Sequence, residues 1–336
     1  MEEFIVGPYN SWGVEGKIIL IKANPKNGFN FDYTIYIPKT INPETTLIVE
    51  GSNFGSTYDW SREKILNEMM KEVIEPGKTG KPIYEIATNL GMPVLYPIFP
   101  KWANKKGPIY NIMLSSNSLN HNTPMLKELG LERVDLQLIQ MIKDAKLKLK
   151  DLEIDEKIII DGFSASAKFA NRFTLLHPEI VKACIAGGVA GMLTLPLEHI
   201  DTEKLLWPVG IGNLEELLGE KYVINIDEFK KVKQFYYMGM YDKNDPFEAK
   251  DVGGVLIPKY PELIEPEEIR QIYKYLGNNI TGNRWENTKK IYNELGINAT
   301  FKSYENVGHT PKPATEDITY FIKNTINLSK KKSIWK

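Results

Sequence analysis

The stretch Lys157-Ile158-Ile159-Ile160-Asp161-Gly162-Phe163-Ser164-Ala165-Ser166-Ala167 decides the fold. The isoleucine run reads as a strand buried on both faces. Beyond Ser164, Ala167, Ala170, Phe173 and Leu176 recur at helical spacing, and His177-Pro178 ends the run. A strand that becomes a helix within so few residues leaves no room for side chains two places before and after the turning residue. Gly162 and Ser166 stand there. G-x-S-x-S approaches G-x-S-x-G, the tight turn that exposes a strained serine hydroxyl at the top of a sheet. Ser166 departs from it by a Cβ and a hydroxyl. A plain helix N-cap also explains a serine at 164, but not the small residues on both sides.

Upstream, residues 18–23 and 31–37 are rich in β-branched and aromatic residues and flank Asn24-Pro25-Lys26-Asn27-Gly28, which predicts a β-hairpin. Residues 45–49 and 93–99 read as strands. Ser61 caps an expected helix to about Ile74, stopped by Pro76-Gly77. Residues 107–124, rich in Asn and Ser and without period, predict a long surface loop. Leu131, Val134, Leu138, Met141, Ile142, Ala145 and Leu149 form one apolar helix face. Downstream, residues 181–186, 235–238 and 300–304 read as strands, and 287–294 and 316–324 as helices.

Strands alternating with helices predict a mostly parallel sheet covered on both faces. Residues 192–227 and 246–284 break the alternation and are read as insertions at the carboxyl edge of the sheet, with a helical piece near 267–276. No linker or repeat divides residues 1–336, so a single α/β domain carrying a cap is expected.

A serine nucleophile needs a base, and the chain has four histidines. His177 ends a helix, His121 lies in the Asn-rich loop and His199 in the first insertion. His309, in Asn306-Val307-Gly308-His309-Thr310-Pro311, follows the last strand and can reach the edge where Ser164 emerges. The acid should follow a strand between serine and histidine. Gly239-Met240-Tyr241-Asp242 offers Asp242, and Lys243-Asn244-Asp245-Pro246 offers Asp245, which also suits a turn. Asp242 is preferred on pattern.

With these segments the chain resembles the α/β-hydrolase superfamily over about residues 18–326, and within it esterases of the feruloyl-esterase and polyhydroxyalkanoate-depolymerase type. The resemblance implies an α/β-hydrolase fold and a Ser164, Asp242, His309 triad. It also implies an oxyanion hole made by the backbone N–H of Ala165 and a second N–H from Glu50-Gly51-Ser52-Asn53, where Ser52 and Asn53 stay open. The implied reaction is hydrolysis of a small-molecule carboxylic ester through an acyl-enzyme, without cofactor or metal. A peptidase or amidase on the same triad, and a non-catalytic binding protein on the same scaffold, are the alternatives.

Composition narrows the partners. Net charge is −1, so no basic field attracts nucleic acid. The single cysteine, Cys184, rules out an intramolecular disulfide and cysteine-rich zinc sites. No run of about 18 apolar residues predicts a membrane span. Two acids follow Met1 where a signal peptide carries a basic start, which reads as cytoplasmic, with secretion after signal removal as the alternative. Pro76-Gly77-Lys78-Thr79-Gly80 lacks the upstream glycine of a phosphate loop, and Gly210-Ile211-Gly212 lacks the third glycine and preceding strand of a dinucleotide fingerprint. Tyr96, Trp102 and Trp207 read as core aromatics before they read as acyl-pocket walls. Oligomeric state is not legible.

Overall fold

A computed structural model describes residues 2–6, 15–53, 63, 64, 67, 82–100, 102–104, 107–109, 111–261, 263–326, 332 and 333, and of residues 2–6, 102–104, 107–109, 111, 332 and 333 the backbone alone. The helix expected over 61–74 and the loop at 76–80 lie outside the described residues, apart from helical positions at 63, 64 and 67.

Among the described residues the main sheet has nine strands: β1 (Glu2–Val6), β2 (Gly16–Ile21), β3 (Tyr33–Pro38), β4 (Ile48–Glu50), β5 (Val94–Pro97), β6 (Ile158–Phe163), β7 (Val181–Gly187), β8 (Lys233–Gly239) and β9 (Ala299–Tyr304), in the order β1-β2-β3-β5-β4-β6-β7-β8-β9. The hairpin read from the sequence forms, with Ile19 opposite Ile35. A 3₁₀ turn, Pro25–Asn27, lengthens its connection beyond a two-residue loop. From β5 onward every pairing in the order is parallel, so β4, β6, β7, β8 and β9 end at one edge.

Among the described residues five longer helices cover the sheet: α1 (Ile83–Leu90), α2 (Val134–Lys148), α3 (Ala165–Leu176), α4 (Trp285–Glu294) and α5 (Thr315–Thr325). Alternation along β6 assigns the faces. Ile159 packs with Ile185 and Tyr237 against Ile86 of α1 and Ile322 of α5. Ile158 and Ile160 pack with Cys184 and Tyr236 against Leu138 of α2, Phe173 of α3 and Tyr292 of α4. Each such side chain removed from water contributes about 1.5–3 kcal/mol, so a strand buried on both faces is held from both. Cys184 is enclosed, and burial pushes its thiol up to about 12, which leaves it an inert core residue.

Two readings are corrected. α1 was not expected, although Ile83, Ile86, Ala87 and Leu90 carry the helical period that marks its buried face. Residues 111–124 are not a surface loop. A 3₁₀ turn, Asn111–Met113, and short helices Ser116–Leu119 and Pro124–Glu128 form there, and Ile112, Met113, Leu114 and Leu119 are buried. Distant side chains satisfy this inward-lying backbone: Arg172 Nη1 donates to Met113 O at 2.6 Å and Trp207 Nε1 to Leu114 O at 2.7 Å. Nothing local in sequence announces such donors.

Candidate active site

Ser164 joins β6 to α3 with φ 63° and ψ −117°, a backbone conformation that costs a non-glycine residue about 1–3 kcal/mol. The turn is as cramped as its pattern implies. A Cβ on Gly162 would lie 2.4 Å from the carbonyl carbon and oxygen of Ser166. The departure at 166 has a local reason. Ser166 Oγ accepts from Phe163 N and donates to Phe163 O, both at 2.9 Å, so the extra hydroxyl fastens the turn. Ser164 N donates to Gly187 O at 2.8 Å, tying the turn to the end of β7.

At the end of β8, Gly239 lets a neighbouring loop cross at close range. A Cβ there would lie 2.3 Å from Val307 O and 2.4 Å from Gly308 O. The crossing loops are laced together by Met240 N to Tyr304 O at 2.9 Å and Tyr241 N to Val307 O at 2.8 Å. This brings two sequence-distant side chains into contact: His309 Nδ1 lies 2.7 Å from Asp242 Oδ2. The Asp242 carboxylate is buried, and its Oδ1 accepts from Asn244 N at 2.9 Å. Asp245 points elsewhere, its Oδ1 taking Arg284 Nη1 at 2.8 Å and Phe247 N at 2.9 Å. Arg284 is fully enclosed, so this pair anchors the loop to the second insertion.

His309 packs against Phe163, ring centroids 4.7 Å apart and planes tilted by 48°, and a Cβ on Gly188 would sit 3.1 Å from its Cε1. Imidazole and Ser164 therefore flank the same Gly187-Gly188 backbone. They do not share a hydrogen bond. Among the described residues Ser164 Oγ has no hydrogen-bond partner, and His309 Nε2 lies 3.0 Å from Asn244 Nδ2.

The strand order, the strained serine between strand and helix, and the shared carboxyl edge match known architectures. No family model matches the chain, and no curated protein matches it in sequence. Among solved structures it is similar to the poly(3-hydroxybutyrate) depolymerase LpqC from Bordetella parapertussis, with a TM-score of 0.51 and 14% identity over 93% of this chain and 91% of that one. It is also similar to poly(aspartic acid) hydrolase-1 from Sphingomonas sp. KT-1, with a TM-score of 0.50 and 15% identity over 90% and 96% of the two chains.

The chain has the α/β-hydrolase fold. In that fold the ends of β4, β6, β8 and β9 meet at the carboxyl edge, where ligands of open parallel sheets bind. Ala165 opens α3, and its N–H is one of the helix's unused N-terminal donors beside Ser164. The segment after β4 adjoins it: Asn53 Nδ2 donates to Phe163 O at 3.0 Å, and Ser52 Oγ to Phe99 O at 3.3 Å. Their side chains are thus occupied with the scaffold. A cleft of about 820 Å³ opens beside the loop that carries Asp242, lined by Tyr241, Asp242, Asp245, Glu248, Asn279 and Thr281 among others.

The remaining histidines are elsewhere. His177 Nε2 contacts buried Asp135 at 2.9 Å, His121 Nδ1 the carbonyl of Leu217 at 3.0 Å, and His199 sits on a short strand of the first insertion. Tyr96 and Trp207 are core residues, and the side chain of Trp102 is outside the described atoms.

Asn244, which touches His309, and Lys168, a buried lysine close in sequence to Ser164, are residues that the sequence reading passed over. Asn244 could have been suspected from Asp-x-Asn, a local turn pattern. Lys168, one helical turn past Ser164, is 6% exposed. Burial and then the Arg172 charge push its amine down to about 7, against the opposing pull of Asp245 and Asp242. Its signal, a lysine followed at helical spacing by Asn171 and Arg172, is common on solvated helices and so points to nothing by itself.

Among the described residues no group of three or more metal-ligating side chains assembles, and no helix is long and apolar enough to cross a membrane.

Proposed function

We propose that this protein is a serine hydrolase of carboxylic esters, working through an acyl-enzyme with Ser164 as nucleophile, His309 as base and Asp242 as the carboxylate that orients it. The observation that carries this reading is the 2.7 Å contact between His309 Nδ1 and Asp242 Oδ2 at the edge from which the strained Ser164 emerges. The contact puts the ring proton on Nδ1 and leaves the Nε2 lone pair to accept one.

In the reaction, His309 Nε2 takes the Ser164 hydroxyl proton as Oγ bonds to the acyl carbon. The carbonyl π electrons move to oxygen, and the oxyanion receives the N–H of Ala165 and a second N–H from Ser52 or Asn53. Each such donor is worth about 3 kcal/mol. The ester C–O bond then breaks, and the imidazolium protonates the departing alkoxide. Water, deprotonated by His309, attacks the acyl-enzyme, and the returning proton restores Ser164 as the acid leaves.

Residues 192–227 and 246–284 act in this reading as a two-piece cap that sets substrate size. Its support is that the pieces bind each other. Glu203 of the first receives Arg270, Lys274 and Tyr275 of the second, and Gln271 accepts from Leu206 N at 2.9 Å. The test is labelling by a fluorophosphonate, with hydrolysis of p-nitrophenyl esters of increasing acyl length. Wild-type protein should be labelled at Ser164 and turn over short esters. Full activity in Ser164→Ala would end the proposal.

A further inference from the structure

We infer that Asn244 is a latch on the base: its side-chain amide holds His309 Nε2 in the resting protein and must let go before Ser164 can be deprotonated. The inference rests on the assignment of Ser164, His309 and Asp242 proposed above and adds a positioning residue to it.

The argument is one of valence. Asp242 Oδ2 at 2.7 Å from Nδ1 fixes the tautomer, so Nε2 offers a single in-plane lone pair. Asn244 Nδ2 lies 3.0 Å from Nε2, within donating distance. The reverse amide orientation would set the Asn244 oxygen against that lone pair, so the donor orientation belongs to the neutral ring. A lone pair that accepts from Asn244 is not available to the Ser164 hydroxyl, and among the described residues Ser164 Oγ has no hydrogen-bond partner.

One carboxylate organises both sides of this competition. Asp242 Oδ2 orients the base, while Oδ1 accepts from the backbone N–H of Asn244 at 2.9 Å and so aims the latch. The latch is also placed to be opened. Asn244 is exposed, and residues on either side of it, Lys243 and Asp245, line the 820 Å³ cleft. A group entering that cleft meets the loop that carries the amide. When Nε2 has taken the serine proton it can no longer accept from Nδ2, so the amide must turn or swing into solvent.

Asn244→Ala removes the amide but keeps the backbone N–H that bonds Asp242, so the acid loop stays aimed. The measurement is the saturation kinetics of fluorophosphonate inactivation. The maximal inactivation rate should rise on the order of fivefold, the worth of one exchanged hydrogen bond, with the half-saturating concentration unchanged. The imidazole ¹⁵N spectrum should show Nε2 losing its donor. Asn244→Gln, which can still donate, should restore part of the slower wild-type rate. An unchanged or slower Asn244→Ala, or an unmoved Nε2 resonance, would overturn the latch while leaving the triad standing. A folded wild-type protein that is never labelled at Ser164 would overturn both.

Discussion

Ser166 Oγ holds both backbone groups of Phe163, accepting from its N–H and donating to its carbonyl at 2.9 Å each. The hydroxyl where the turn motif has glycine is therefore a clasp across the strained residue between them. Ser166→Ala should take the acceptor from the Phe163 N–H, leave its carbonyl to Asn53 Nδ2 alone, and lower unfolding stability by about 1–3 kcal/mol. Urea denaturation measures this, and ester turnover should fall as Ser164 relaxes from its positive φ. Gly162→Ala should do worse, because its Cβ would strike the Ser166 backbone.

Asp242 and Asp245 should separate cleanly by what their loss damages. Asp242→Asn keeps the fold but offers His309 the wrong partner, and kcat should drop by roughly 10⁴. Asp245→Asn leaves the fully buried guanidinium of Arg284 without its counter-charge. It should cost about 3–5 kcal/mol of stability while sparing the chemistry of the molecules that fold. Calorimetry and steady-state kinetics on the two variants check the pair.

Glu268 makes stability fall with rising pH. Burial lifts its carboxyl from 4.5 to about 7, against hydrogen bonds from Ser116 and the Glu265 N–H. The folded state thus keeps a proton that the unfolded chain has already released. The stabilisation is complete below 4.5 and is lost as pH rises through about 7, a range worth about 3 kcal/mol. Glu268→Gln should gain on wild type across that window, read as a widening gap in urea midpoint from pH 4.5 to 7.

Lys168 works on the other side of neutrality. Its folded-state amine, at about 7 against an ordinary 10.5, gives up its proton before the unfolded chain does. Stability is held down below about 7 and recovers as pH climbs towards 10.5. Lys168→Met should therefore raise the melting temperature at pH 6 and lose that advantage by about pH 10. An advantage independent of pH would mean that packing, not charge, is what the lysine compromises.

What the sequence determined by itself were the local periods and the one crowded turn. The isoleucines at 158–160 specify a strand buried on both faces, the apolar spacing from Val134 to Ala145 specifies α2, and small residues around Ser164 specify a sharp strand-to-helix turn. These depend on neighbours a few positions apart. The parallel order then put the ends of β6, β8 and β9 at one edge, so the position of His309, and of no other histidine, at that edge was within reach. The tertiary structure decided what depends on distant partners. Asp242 rather than Asp245 meets His309 because Arg284 claims Asp245. Residues 111–119 lie inside because Arg172 and Trp207 cross the fold to satisfy their carbonyls. Asn244 faces Nε2 because two loops cross over Gly239. Each is a hydrogen bond between residues tens of positions apart, and no local period encodes such a bond.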